Sequence, residues 1–468
     1  MKIRKIHIWG FQQFKHTVLD FTHPETGEPL EKICFIGRNG TGKSTLLRII
    51  EGILRSMLAG NLQGSCAISA EVQQSGKLVH LFYGKYWNVA VRAHQPFSFP
   101  LRENVNPLRL QAFEHYLDSI NTTQNWQNIF QSFGDIISQN NDENNRVWEA
   151  TSLKDDANDL LVYSPAESPQ NTVLASGHIP SVTLNEALAL TKHFPYHHLV
   201  SDQNVQEFWR LLIYLIKRRE SEREEFENRP ENLDKTKKQL IEEFEKQNPK
   251  IEEKLAELWN EILGRAGLEL DIENLKKPVQ LTDNLQAYIR HKASKQRIEY
   301  SQLSTGIRNF IFRIGHIYSL YFNREIRRGF LLVDEPENSL FPDFLFNLLE
   351  LYQQIVVDKN GENNTQFFVA THSPIVAAQF QPYERIILEW DENGHVTAHK
   401  GHAPVGDDPN DVLEQDFGLE NLMGKEGQKM WQHYLDLRKK LRRTDSPAEK
   451  EQLLSEITKI GNDYNFEE

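Results

Sequence analysis

The sequence predicts an α/β fold: a mixed and parallel sheet flanked by helices, with a short helical insertion and a small helical C-terminal region. Three observations predict it. An apolar run, Ile33 to Ile36, leads into a glycine-rich loop and then into Leu46, Leu47, Ile49, Ile50, Ile53 and Leu54 at helical spacing. Two later apolar runs, 329–333 and 366–370, stop abruptly at polar residues, as buried strands do where they meet a loop. From about residue 205 the apolar period lengthens to that of a helix, and it does so again in the tail.

Whole-chain properties set the bounds. A length of 468 residues allows up to about three domains and a large core. Hydrophobic residues make up 39 % and charged residues 25 %, an ordinary balance for a globular protein. The formal net charge of −13 argues against a surface that is basic throughout, so any nucleic-acid contact needs a local basic stripe. Cys34 and Cys66 are the two cysteines, which fits reduced thiols and not a disulfide scaffold. MKIRKIHIWGF lacks the apolar core of a signal peptide, and no run approaches the length of a membrane span. A cytoplasmic protein without a membrane partner is expected.

The elements follow in order. Ile3, Ile6 and Ile8 with Trp9 predict a first strand, and Val18, Leu19 and Phe21 a second, with a turn at 24–27 before the third. That third strand ends in Gly37-Arg38-Asn39-Gly40-Thr41-Gly42-Lys43-Ser44, followed by Thr45. The pattern is GxxxxGK[ST] between strand and helix. Its glycines let the backbone curl so that several N–H groups face one anion, and the helix N-terminus adds partial positive charge. Lys43 is placed to reach β- and γ-phosphates, and Ser44 to offer a hydroxyl to Mg²⁺.

Residues 67–72 and 77–82 read as a hairpin and 87–93 as another strand, whereas 95–158 are polar, with helical patches near 113–120 and 129–137. Leu160 to Tyr163 read as a buried strand ending at Ser164-Pro165-Ala166-Glu167. Then come three helical patches: Phe208, Leu211, Leu212 and Leu215; Leu240, Ile241 and Phe244; and Ile251 to Leu263. Ser304, Thr305 and Gly306 open an apolar helix, Phe310 to Tyr321. The strand 329–333 ends in Asp334 and Glu335. Neighbours on a strand point opposite ways, so the two carboxylates are expected to differ in role: Asp334 holding Mg²⁺, Glu335 deprotonating an attacking water. A last such strand, 366–370, runs into Thr371-His372-Ser373-Pro374. Ser373 reads as a helix N-cap, with the helix running to Phe380, and His372 stands at the ligand-binding edge of the sheet.

Taken together and in this order, these stretches resemble the ABC-type ATPases of the SMC, RecF and OLD-like group. GRNGTGKS resembles the Walker A, LSTG the signature LSGG, LLVDEP the Walker B, ENSLFP the D-loop, and THSP the switch-histidine motif. The resemblance covers residues 1 to about 50 and 300 to 380. It implies an ABC-type P-loop ATPase head using ATP and Mg²⁺, with Gly37 to Thr45 binding nucleotide, Ser44 and Asp334 holding the metal, and Glu335 and His372 catalytic. It implies a homodimer or higher oligomer in which Ser304, Thr305 and Gly306 of one head cap the γ-phosphate on another, with Asn338 and Ser339 nearby. The residue after the signature glycine is Ile307, not the Gly or acid often found there. A strand like 160–163 usually ends in Gln near the γ-phosphate; Ser164 or Glu167 are the candidates here.

On this basis the chain divides into an N-terminal ATPase lobe (1–204), a helical insertion (205–267), a C-terminal ATPase lobe (268–400) and a helical partner-binding region (401–468). The compact head, the short insertion, Asn410-Asp411-Val412-Leu413 and the small tail are similar to the PtuA family, ATPases of the Septu antiphage defence system. That resemblance implies an HNH nuclease partner, PtuB-like, with DNA as the target of the complex. A RecF-like repair ATPase that binds DNA in an ATP-dependent way is the alternative. A transporter energy subunit fits poorly, given the long gap between Walker A and LSTG.

Overall fold

The computed structural model describes residues 2–59, 67–74, 77–84, 87–93, 148–149, 160–166, 197–200, 211, 215, 218–219, 221–248, 251–270, 289–298, 302–324, 328–338, 340–357, 362–406, 408–419, 423–464 and 466. The strands are β1 (Lys2–Phe11), β2 (Phe14–Asp20), β3 (Lys32–Gly37), β4 (Ala67–Gln74), β5 (Lys77–Gly84), β6 (Trp87–Ala93), β7 (Trp148–Glu149), β8 (Leu160–Ser164), β9 (His197–Leu199), β10 (Leu268–Leu270), β11 (Ile289–His291), β12 (Arg297–Ile298), β13 (Arg328–Asp334), β14 (Asn364–Ala370), β15 (Arg385–Trp390) and β16 (Val396–Lys400). The helices are α1 (Lys43–Ala59), α2 (Lys237–Gln247), α3 (Ile251–Leu263), α4 (Thr305–Arg324), α5 (Pro342–Leu345), α6 (Leu348–Val356), α7 (Pro374–Ala377), α8 (Pro409–Gln415), α9 (Lys425–Arg443) and α10 (Pro447–Tyr464).

A seven-stranded sheet, ordered β16-β15-β3-β14-β13-β8-β9, organises the molecule. Its strands from β15 to β9 pair in parallel, and β16 closes the edge antiparallel to β15. Parallel strands of this kind are covered on both faces, which is why they read as continuous apolar runs. Alternation sorts their side chains into two cores. Ile33, Phe35, Leu161, Phe330, Leu332 and Phe368 face α1 and the first strands. Cys34, Ile36, Val162, Leu331, Val333 and Val369 face α3, α4 and α6.

A second, six-stranded antiparallel sheet, β2-β1-β4-β5-β6-β7, lies against the first core. Gln366, buried in β14, fastens the two sheets together. Its Oε1 accepts from the Ile3 N–H at 2.7 Å, while Nε2 donates to the Ile3 and Leu30 carbonyls at 2.8 and 2.9 Å. A buried amide satisfied on both ends costs little and fixes register. At the opposite edge, the Val396 N–H donates to the Gln13 carbonyl at 2.9 Å, and Thr17 Oγ1 donates back to the Val396 carbonyl at 3.0 Å. The turn between β1 and β2 is thereby pinned beside β16.

Of the predicted helical patches, α3 belongs to the main core: Leu255, Leu258, Trp259 and Leu263 pack there, and Trp259 Nε1 donates to the Ile311 carbonyl of α4 at 3.0 Å. Residues 221–248 keep a small core of their own, Phe226, Leu240 and Phe244, with a Thr236–Gln239 capping box starting α2. Phe208 and the patches near 113–120 and 129–137 lie outside the described residues. Helix α7 is shorter than expected, four residues ending before Ala378. Pro382 holds Gln381 extended and stops the turn from propagating to it.

In the tail, α8 is held to the main core by Val412, whereas α9 and α10 form a hairpin. Tyr434 and Leu437 meet Ile457 and Ile460, with Trp431 and Phe466 closing the end. The apolar seam of the tail is thus covered by the hairpin's own two helices. Among the described residues no helix is long and apolar enough to cross a membrane.

Candidate functional site

The glycine loop sits where β3 leaves the sheet, and its backbone tolerates no side chain at two points. Gly37 has φ +150°, and a Cβ there would collide with the Leu388 carbonyl of β15. Gly42 has φ +97°, and a Cβ would strike Gln13 and Phe14 from the β1–β2 turn. Thr41 is fully buried and closes the loop internally, its Oγ1 donating to the Arg38 carbonyl at 2.9 Å. Arg38 and Asn39 are exposed, and Arg38 Nη2 donates to the Gly418 carbonyl at 3.2 Å.

Lys43 lies folded over the loop, its Nζ donating to the Gly37 carbonyl at 2.8 Å and the Arg38 carbonyl at 3.3 Å. Burial pushes its pKa down to about 8, against the pull of Glu335, Asp334 and Glu337, which favour the charged form. Ser44, one residue on, hydrogen-bonds the Asp334 carboxyl. Thr45 follows in the first turn of α1, partly buried.

The two strand-end carboxylates do differ in setting. Asp334 is buried at the last position of β13; burial raises its pKa, and the bond from Ser44 works the other way. Its Oδ1 is buried without a hydrogen-bond partner among the described residues. A desolvated carboxylate oxygen beside a serine hydroxyl, with the loop lysine near, is a donor set that fits a hard divalent cation such as Mg²⁺. Glu335 has already left the strand. It takes the left-handed conformation at φ +44°, and its N–H donates to the Ala370 carbonyl at 2.8 Å. A non-glycine residue there is strained, and the surroundings hold it in place.

Arg313, in the third turn of α4, supplies much of that hold. Its Nη1 donates to the carbonyls of Asp334 and Glu335 at 3.4 and 3.2 Å, and its Nη2 to those of Pro165 and, at 3.1 Å, Ala166. One guanidinium thus gathers the ends of β13 and β8. Ser164 ends β8 beside Val333, fully buried, its Oγ without a partner among the described residues. Glu167 and Ser339 lie outside the described residues. Asn338 does reach this cluster, Nδ2 donating to the Ala166 carbonyl at 3.5 Å.

His372 comes next to Glu335, Nε2 lying 3.5 Å from Oε1. Burial lowers its pKa below the usual 6.5, with the Lys43 charge acting in the same sense, so the imidazole is neutral at pH 7. Its placement depends on Glu337, whose Oε1 accepts from the His372 N–H and from Thr371 Oγ1, both at 2.7 Å. Burial raises the Glu337 pKa. Ser373 caps α7 as expected, Oγ accepting from the Val376 N–H.

Lys43, Ser44, Asp334, Glu335 and His372 therefore come together at one sheet edge. Ser304 and Thr305 are exposed at the start of α4, with Gly306 buried behind them. Ser304 Oγ accepts from the Ile307 N–H at 3.4 Å, a local cap. Arg313 and Glu337 were not visible as site residues in the sequence. An arginine on a helix's polar stripe looks solvated, and Glu337, the fourth residue of Asp334-Glu335-Pro336-Glu337, stood only as the first residue of the D-loop-like ENSLFP. Among the described residues no group of three or more His, Cys, Asp or Glu is arranged for a metal cluster, and His197 and His399 pair instead with Glu51 and Glu389.

No curated protein matches the chain. The AAA ATPase domain family does, over residues 1–377. That span takes in the phosphate loop, both strand-end carboxylates and His372. The chain belongs to the AAA ATPase domain family of ATP-binding ATPases.

Proposed function

We propose that the protein is the ATP-hydrolysing regulatory subunit of an antiphage defence complex of the Septu type, controlling a partner HNH nuclease through nucleotide-dependent engagement of two heads. In this reading Gly37 to Thr45 bind the phosphates. Ser44 and Asp334 hold Mg²⁺, which when bound shields the charge of the β- and γ-phosphates. Glu335 takes the proton of the attacking water, and neutral His372 offers a hydrogen bond to the γ-phosphate or to Glu335. Arg313 and Glu337 are positioning residues that keep those two groups at the sheet edge.

The observation that carries head engagement is the attitude of α4. Arg313 bonds the carbonyls at the end of β13, while Arg324 at the other end of α4 comes four residues before the start of that strand; α4 therefore runs antiparallel to it, with Ser304 nine residues before Arg313. At a rise of about 1.5 Å per residue, Ser304 stands about 13 Å beyond the sheet edge. It is exposed there. A helix N-terminus held out in this way suits the γ-phosphate on a second copy. The nuclease partner and DNA target rest on the resemblance of the compact head and tail to the PtuA family.

The test is to search the neighbouring reading frames for an HNH protein and to reconstitute it with this chain. A stable complex whose DNA cleavage changes with ATP is expected. ATP-dependent duplex binding by the chain alone, with no nuclease retained, would replace this reading with the RecF-like one.

A pH dependence follows from Lys43. The phosphates favour its charged form, and it carries that charge in the free protein only below about pH 8. Above that, binding must first take up a proton. Since the terminal phosphate is already ionised above about pH 6, Mg·ADP affinity is expected to be flat near neutrality. It then falls toward tenfold per pH unit above about 8. Calorimetric titrations across that range, in buffers of different ionisation enthalpy, measure both the fall and the proton uptake.

A further inference from the structure

Sheet order gives a bound triphosphate a direction. Asp334, Glu335 and His372 lie at the ends of β13 and β14, which both flank the loop strand β3 on the same side. The γ-phosphate belongs on that side, so the nucleoside must extend over the opposite flank, toward β15. Leu388 of β15 pairs with Gly37, and Trp390 lies two residues further along the strand, past the start of the loop. Its indole Cζ2 comes within 3.9 Å of the position a Cβ would take on Gly40. On Gly40's carbonyl, Gln13 Nε2 donates at 3.5 Å. The outer lip of the phosphate loop is therefore made by an indole, an amide and a glycine with no side chain of its own.

Trp390 is also out of character for its strand. Ile386, Ile387 and Leu388 are almost wholly buried, yet the indole is 46 % exposed. A large flat aromatic surface left half wet beside a phosphate site is suited to stack on another flat ring.

We propose that Trp390 is the platform on which the nucleobase of the bound nucleotide stacks, purines being favoured for their larger face. The proposal rests on the nucleotide-binding reading of the loop and adds its specificity-determining residue.

Isothermal titration of the full chain with Mg·ADP and with inorganic tripolyphosphate, which has no base, tests it. Trp390→Ala is expected to weaken ADP binding by about 5- to 100-fold, the range for losing one base–aromatic stack. Tripolyphosphate binding is expected to stay unchanged, and Trp390→Phe to retain most of the ADP affinity. Unchanged ADP affinity in Trp390→Ala, or an equal loss for both ligands, overturns the platform while leaving the phosphate loop's role intact. Wild-type protein that binds neither ligand overturns both.

Discussion

Glu335→Gln is expected to slow ATP hydrolysis by about 10²- to 10⁴-fold while leaving ATP binding in place, the usual cost of removing a general base. The substitution is almost isosteric. The strained backbone at φ +44° is fixed by its N–H bond to Ala370 and by Arg313 on its carbonyl, and a glutamine keeps both. Toward the phosphate loop, the side chain that changes acts on Lys43 through its charge. Single-turnover hydrolysis measures the rate, and nucleotide titration measures binding. The same variant is expected to accumulate engaged heads with ATP, so sedimentation should show a mass increase that Ser304→Arg abolishes. Wild-type turnover by Glu335→Gln would sink the assignment and point to Glu337, whose buried Oε2 has no partner among the described residues.

The parts of this site that could be read in the sequence are those whose chemistry is contiguous in the chain. Gly37 to Ser44 announce a phosphate loop because the glycines, the lysine and the serine must stand at fixed offsets between a strand and a helix. Asp334-Glu335 and Thr371-His372 were legible because a buried apolar run ends just before each. Arg313, Glu337 and Gln13 were not legible, since each acts on backbone or loop atoms that only the fold brings near. Arg313 touches residues 147 and 148 positions away in the chain. The helical patch Ile251 to Leu263 likewise looked like part of a separate insertion. Periodicity identifies an apolar face but not the surface that covers it, and here that surface is α4. The same limit hid the tail hairpin, whose seam could not say which helix it would meet.

Asp416→Ala is expected to cost about 3–5 kcal/mol of stability, among the largest effects available to a residue outside the phosphate site. Arg385 and Asp416 form an ion pair at 3.0 Å with both side chains wholly buried. Asp416 Oδ1 also accepts from the His402 and Ala403 N–H groups at 2.7 and 3.3 Å. Arginine cannot shed its proton to escape a lost partner, so the variant leaves a buried positive charge together with two unsatisfied donors. A lowered thermal or urea midpoint measures the loss. Replacing both residues by apolar ones, Arg385→Met with Asp416→Leu, is expected to recover much of it, because the charge that made the single change costly is gone. Failure of the double variant to recover would mean that the two backbone donors, not the charge, dominate. The pair lies at the root of β15, and Gly418, two residues past Asp416, accepts from Arg38 of the phosphate loop. Loosening Asp416 therefore frees one support of the loop. Mg·ADP affinity in the single variant is expected to fall below wild type even at temperatures where the protein remains folded, and a nucleotide titration well below its unfolding midpoint separates that loss from instability.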